Sequence, residues 1–345
     1  MEVSATQRLA FESGIAIPID DSSQIGEARR TAIGVAAAAG LSEVDAGRFA
    51  IIAAEAATNI TKHATRGEIL LRSAGETLRA VDLIAVDNGP GIRDVEKALR
   101  DGYSTAGSSG TGLGAMARLS TAFDVFTAPD AGTVISVRIE ATRPGSKQPG
   151  AFELGVVRAA KRGEAECGDD WGIVVDEDRG RAVLTVADGL GHGVAAAEAS
   201  RRAVQLAADN AADPPGHVVA ALHRGLRPTR GAAVAVAEMK SHESGIRFAG
   251  LGNIAAAIVG PSGSRSLMSH NGIAGHEMRK IQELSSEWPA DALLIMHSDG
   301  MSSRWDLGKY PGLIRRSPSV VAGVIYRDFS RGRDDALIVV VRRSS

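Results

Sequence analysis

Four acidic groups sit at the edges of apolar runs in the second half of this chain, and they constrain its fold more than any other feature. Asp169-Asp170 precede one run, Asp188-Gly189 end a second, Ser298-Asp299-Gly300 follow a third and Arg333-Asp334-Asp335 open the last. They spread over about 165 residues, so no local segment gathers them, whereas a fold that brings distant strand ends together does. A single Asp-Gly turn is ordinary. Four acidic turns in the same strand-edge context call for a common reason.

The most informative is Asp188-Gly189-Leu190-Gly191-His192-Gly193, directly after the apolar residues 182–187. A β-run that delivers an Asp and a flexible Gly turn to its end puts a carboxylate and a backbone carbonyl side by side, both hard oxygen ligands suited to Mg²⁺ or Mn²⁺. Two such ions bridged by carboxylates generate a hydroxide at neutral pH and clamp a phosphoryl group for in-line attack. Hydrolysis of a phosphate ester is the chemistry such a site suits.

The chain has 345 residues, room for two domains that each bury a core. Lys+Arg 39 against Asp+Glu 41 leaves a net charge of -2, which gives no electrostatic case for nucleic acid or for an anionic membrane. The single Cys167 forms no internal disulfide, no Cys/His spacing suits zinc, and a reducing cytoplasm is the expected location. No stretch approaches ~18 uninterrupted apolar residues and the N-terminus lacks a signal-peptide pattern, so neither membrane spanning nor secretion is expected.

Residues 141–150 read ATRPGSKQPG between two segments of alternating apolar residues, and the domain boundary is expected there, with one domain over 1–140 and another over 151–345. Before the linker, Ser22 is expected to cap a helix through residue 39 and Ser42 a second to about residue 64. Strands near 69–73 and 78–86, a short helix near 95–100, a Gly-rich loop, a helix over 113–120 and two closing strands follow, a sheet with helices on one face. After the linker, β-runs at 173–175, 182–187, 232–237, 246–249, 255–259, 293–297 and 336–341 surround helices at 194–208, 215–225 and 320–329. That pattern predicts a two-layered antiparallel sheet core with helices outside, and an α+β class for the whole chain.

In the first half, Phe49, Ile52, Ala56 and Ile60 follow helical spacing and should face the sheet, while Glu55, Asn59 and His63 form a neighbouring stripe with Lys62 beside them. On the helix alone this stripe reads as a solvated face. The strand over 83–86 ends in Asp87-Asn88-Gly89-Pro90-Gly91, where the Asp can accept a hydrogen bond from an exocyclic amine. Downstream, Gly107 to Gly114 run into a helix start, a loop type that cradles phosphates with backbone N–H groups. No Lys follows in P-loop position.

Taken in order, Glu55-x-x-x-Asn59, Asp87-x-Gly89-x-Gly91, Gly110-Thr111-Gly112-Leu113-Gly114 and Gly132-Thr133 resemble the GHKL ATPases, and Asp101 to Gly107 ahead of that lid resembles the RsbT-type serine/threonine kinases and related anti-sigma-factor kinases. The resemblance covers about residues 41–139. It implies an ATPase α/β sandwich binding ATP with Mg²⁺, with Asn59 holding the ion against the phosphates, Lys62 and His63 beside it, Asp87 reading adenine, Thr133 supporting that contact and Glu55 as general base.

In the second half, Cys167-Gly168-Asp169-Asp170, Asp188 to Gly193, Arg230-Gly231, Gly250-Leu251-Gly252-Asn253, Asn271-Gly272, Ser298-Asp299-Gly300 and Asp334-Asp335 resemble the PPM serine/threonine phosphatases, closest to their SpoIIE and RsbX branches. This implies an α-β-β-α sandwich holding two Mn²⁺ or Mg²⁺ ions on Asp188, the Gly189 carbonyl, Asp299 and Asp334, with Asp170 completing the set directly or through water. Either Asp334 or Asp335 can fill the terminal position. An Arg that other branches use on the substrate phosphate has no obvious match. His192 is a candidate proton donor and equally a surface turn residue.

The two resemblances together imply a bifunctional regulator of partner switching, a kinase and a phosphatase on one chain. Its expected substrate is a STAS-domain anti-sigma-factor antagonist or stressosome-type protein, with a sigma factor or other downstream regulator as a further partner. The alternatives are a phosphatase whose first half only senses nucleotide, or one whose first half binds a sigma factor without kinase activity.

Overall fold

The computed structural model describes residues 6–9, 14–73, 79–100, 112–141 and 150–344. The chain divides into a unit of Glu12–Ser146 and a second of Lys147–Ser345 together with Met1–Phe11. Most of the expected linker, 142–149, lies outside the described residues.

After a first strand, β1 (Thr6–Leu9), the N-terminal unit runs β2 (Ile15–Ile19), α1 (Ser23–Ala38), α2 (Glu43–His63), β3 (Gly67–Ser73), β4 (Ala80–Asp87), α3 (Val95–Ala98), α4 (Gly112–Leu119), β5 (Ala122–Thr127) and β6 (Thr133–Glu140). Its sheet has the order β2-β3-β4-β6-β5, antiparallel throughout. Helix α2 starts where Ser42, in extended conformation, accepts the Asp45 N–H at 3.1 Å. Glu43 and Asp45 in its first turn and Lys62 and His63 in its last complement the helix dipole. Phe49, Ile52, Ala56 and Ile60 are buried as their spacing predicts, in one core with Ile69, Leu71, Leu83 and Ala85 of the sheet. Truncating Ile52 to Ala would remove about 2–5 kcal/mol from that core. Ser22 differs from expectation: it precedes α1 but its side chain makes no cap, and Asp21 Oδ1 takes the Ser23 N–H instead at 2.7 Å.

On β4 the side chains alternate, so Val81, Leu83 and Ala85 meet the helices and Asp82 lies on the opposite face. Its register partners are Arg72 on β3 and Arg138 on β6. Asp82 accepts from Arg72 Nε at 2.9 Å and from Arg138 Nε and Nη2 at 2.7 and 3.0 Å. Burial pushes the Asp82 carboxyl up, but the two guanidinium groups overcome this and hold it well below the usual carboxylate range.

The C-terminal unit continues with β7 (Phe152–Ala159), β8 (Asp169–Asp176), β9 (Arg181–Gly189), α5 (Val194–Asp209), α6 (Pro215–Gly225), β10 (Ala232–Lys240), β11 (Gly245–Leu251), β12 (Ala255–Gly260), β13 (Gly263–Leu267), a ribbon of β14 (Gly272–Ile273) and β15 (Glu277–Met278), β16 (Leu284–Glu287), β17 (Leu293–His297), α7 (Pro318–Phe329) and β18 (Ala336–Arg343). One sheet has the order β1-β8-β9-β10-β11-β16 and the other β13-β12-β17-β18-β7. Helices α5 and α6 pack on the first, through Ala203, Val204, Val218 and Leu222 against Val183, Ala187, Val234 and Val236, and α7 packs on β7 and β18 of the second. This is the four-layered α-β-β-α arrangement of an α+β chain.

Strand β1 pairs with β8, Leu9 opposite Ile173 and Thr6 opposite Asp176. The N-terminal residues expected in a domain of 1–140 thus include a strand of the other unit's sheet. Without it, β8 would present an unpaired edge over those residues.

Candidate functional site

The antiparallel register of β8 and β9 makes Asp169 and Asp188 direct partners, so their side chains share one face. Strand β17 ends at His297 and hands the chain to Ser298 and Asp299. Asp334 and Asp335 immediately precede β18, the neighbour of β17. A Cβ at Gly300 would stand 1.8 Å from the Asp335 carbonyl, so only glycine lets these two segments approach. Four distant stretches thereby meet at one end of the sandwich.

Burial raises the Asp188 carboxyl, and Asp299, Asp334 and Asp335 raise it further, to about 7. Asp169 is buried and likewise raised, by burial first and then by Asp188, while Ser298 Oγ donates to its Oδ2 at 2.6 Å. Asp299 rises through burial and Asp334, with Arg331 opposing, and accepts from Asn253 Nδ2 at 2.7 Å. Crowded acids with few cations to balance them are what divalent ions relieve, and every donor is a hard oxygen. Among the described residues no three Asp, Glu, His or Cys side chains close on a single point as they stand. The donor chemistry fits divalent ions; the rotamers have to close on them.

Asp170, expected to complete the ligand set, is one residue out of phase. In a strand it points away from the face that carries Asp169 and Asp188, and it lies 3.8 Å from Arg158, with Arg158 and Arg201 the cations it feels. Asp169 takes its place in the cluster. Asp335, itself buried, is also committed elsewhere: Oδ1 accepts from Lys161 N–H at 2.8 Å and Oδ2 from Gly168 N–H at 2.9 Å. Asp334 is exposed and acts on both Asp188 and Asp299.

In the N-terminal unit, Glu55 and Asn59 are half-buried along one edge of α2. They face the start of α4, where a Cβ on Gly112 would lie 3.0 Å from Glu55 Oε2 and 3.5 Å from Asn59 Oδ1. Leu113 and Gly114 are buried behind it. A helix start against an acid and an amide suits a phosphate with its cation. Asp87 ends β4 opposite Thr133, and its Oδ1 accepts the Gly89 N–H at 2.8 Å. Gly91 lies just beyond, against the Ala128 carbonyl. Thr133 Oγ1 is buried 3.2 Å from Thr127 Oγ1. Lys62 and His63 are exposed on the last turn of α2, with the His63 carbonyl rather than its ring against Gly89. Gly110 and Thr111, expected in the lid, lie outside the described residues.

Residues 19–139 match the family Histidine kinase-like ATPase domain, and residues 178–344 match Stage II sporulation protein E (SpoIIE). The serine/threonine-protein kinase RsbT of Bacillus subtilis (strain 168) is 35% identical over 109 residues, 31% of this chain and 82% of that protein. The chain belongs to the RsbT family. It joins this RsbT-like ATPase domain to a SpoIIE-type PPM phosphatase domain. A chain from a structure of the bacterial stressosome, described as a modular system adapted to control secondary messenger signaling, aligns with TM-score 0.52 at 27% identity over 55% of this chain and 99% of that one. RsbX crystallised with magnesium aligns with TM-score 0.51 at 20% identity over 57% of this chain and 98% of its own, a likeness of fold.

Sequence reading of this RsbT–SpoIIE fusion did not single out Asp169, Ser298 and Asn253, although all three stand inside the quoted motifs. It missed Arg158 altogether. From β7, Arg158 Nε donates to the Asp169 carbonyl at 2.6 Å and Nη2 to that of Cys167 at 3.0 Å, fixing the start of β8. Bonds to backbone carbonyls leave no signature in sequence.

Proposed function

We propose that this protein both adds and removes a phosphate on a Ser or Thr of a partner-switching protein, the ATPase domain acting as kinase and the PPM domain as phosphatase. One observation carries the phosphatase half: Asp169, Asp188, Asp299 and Asp334 come from four separate stretches to one end of the sandwich, with the Asp188 carboxyl raised by burial and then by its acidic neighbours. These residues and the Gly189 carbonyl would hold two Mn²⁺ or Mg²⁺ ions. Such ions supply a hydroxide at neutral pH and offset the charge on the phosphoryl group.

The protein's own groups set the geometry. Ser298 holds Asp169, Asn253 holds one oxygen of Asp299, and Asp335 ties the start of β18 to the turn before β8. His192, exposed on the loop after Asp188, delivers a proton to the departing Ser or Thr oxygen. In the kinase half, Asn59 would hold Mg²⁺ with ATP, Asp87 would accept from the adenine amine with Thr133 in support, and Glu55 would take the proton of the attacking hydroxyl. The kinase reading is supported by the name of the RsbT relative and by Glu55 standing against the α4 start. A STAS-domain protein as substrate is the partner-switching reading that the likeness to RsbT and to a stressosome chain supports. Two opposing activities on one chain share one local concentration of target.

The test uses the full chain with a phosphorylated STAS protein, with and without Mn²⁺, and a variant with Asp299→Asn. Mn²⁺-dependent release of phosphate, lost in the variant, is expected; a variant as active as the parent contradicts the site. Labelled ATP with an unphosphorylated STAS protein and an Asp188→Ala chain tests the kinase. Label on Ser or Thr is expected, and ATP binding without transfer would leave a nucleotide sensor in its place.

A further inference from the structure

The turn between β7 and β8 carries an acid that the phosphatase reading does not use. Glu164 Oε1 lies 2.6 Å from His192 Nδ1. A Cβ at Gly193 would stand 3.1 Å from the other oxygen, Oε2, so the carboxylate lies along the backbone at the start of α5. Helix N-termini favour such an anion. A carboxylate that accepts from Nδ1 keeps the proton there and turns Nε2 outward as the nitrogen that gives and regains the mobile proton. His192 is half-exposed and Glu164 about one-third exposed, so the pair is open to an incoming protein substrate.

We propose that Glu164 is a positioning residue for the phosphatase reaction, fixing the tautomer and ring orientation of His192. This rests on His192 as proton donor. When the water oxygen bonds to phosphorus, the bond from phosphorus to the Ser oxygen breaks and its electron pair stays on that oxygen. The oxygen takes the Nε2 proton, leaving a neutral Ser hydroxyl. The water gives up a proton to solvent, and His192 recovers one from solvent. An alkoxide is a poor leaving group that needs this proton, whereas nitrophenolate leaves without it.

The experiment compares the full chain with Mn²⁺ on a phosphoserine peptide and on p-nitrophenyl phosphate. His192→Ala is expected to lose roughly 100-fold on the peptide, Glu164→Ala roughly 10-fold, and both to stay within roughly 3-fold of the parent on the aryl ester. Glu166→Ala removes an acid of the same turn that pairs with Arg201 at 2.8 Å, and should lose on neither. If His192→Ala loses equally on both substrates, the proton-donor reading fails. If His192→Ala separates the substrates and Glu164→Ala does not, or if Glu166→Ala separates them too, the role of Glu164 is overturned.

Discussion

Asp82 in the N-terminal unit and the facing pair Asp169 and Asp188 in the C-terminal unit stand in surroundings that differ in kind. Asp82 lies between Arg72 and Arg138 on neighbouring strands, and its carboxyl is held far down. Asp188 and Asp169 lie among other carboxylates, and both are pushed up. The first group is balanced by the protein itself, so it serves the fold. The second is left unbalanced at a strand end open to solvent through Asp334, as a site is when something else brings the positive charge.

The contrast breaks first at Asp188. Asp188→Asn should lower phosphatase turnover by about 10³-fold, measured as Mn²⁺-dependent phosphate release. Its melting temperature in a chelator should not fall, because the substitution removes repulsion. Asp82→Asn should do the reverse. It strands two arginines and should lower the stability of the N-terminal unit by about 3–5 kcal/mol in denaturant unfolding, with phosphatase turnover retained. Asp82 is more acidic folded than unfolded, so its contribution is complete above about pH 4 and is lost as the pH falls below that. Unfolding of the N-terminal unit followed from pH 7 to pH 3 should show the onset of that loss in the parent and much less of it in Asp82→Asn.

A finer comparison sets neighbouring residues against each other. Asp334→Asn should lower turnover by about 10²-fold and leave stability unchanged. Asp335→Asn should lower stability by about 1–3 kcal/mol, since it weakens the acceptor of two backbone N–H groups. Equal loss of turnover with no loss of stability in both would erase the distinction. The smallest effect is expected at Ser42→Ala, about 1 kcal/mol from the α2 cap, read by thermal unfolding.

What was legible in the sequence follows from how each feature is encoded. The strand Leu293–His297 and the helix Pro215–Gly225 stand where their apolar patterns put them, because each is bounded by strong turn residues. The buried stripe of α2 follows from a 3.6-residue period over 21 residues. Strand β1 is short and polar, so no period announces it, while β2 has Ile at alternate positions but is short and carries Pro18, which obscures it. The acidic motifs point to these strand ends; within the pairs they favour Asp170, where the register turns Asp169 toward Asp188, and they leave Asp335 open as an alternative to Asp334. Choosing Asp169 over Asp170 requires the register with β9, and distinguishing Asp334 from Asp335 requires the amides that Asp335 meets. Both depend on residues far away in the chain. Glu164 and Arg158 act through single contacts across loops and strands, which no spacing records.

Mn²⁺ binding to the full chain without nucleotide, followed by the electron paramagnetic resonance of the free ion, tests the central claim most directly. The parent and Asp82→Asn should take up two ions, and Asp188→Asn should lose that uptake. Equal binding by the parent and by Asp188→Asn would contradict it.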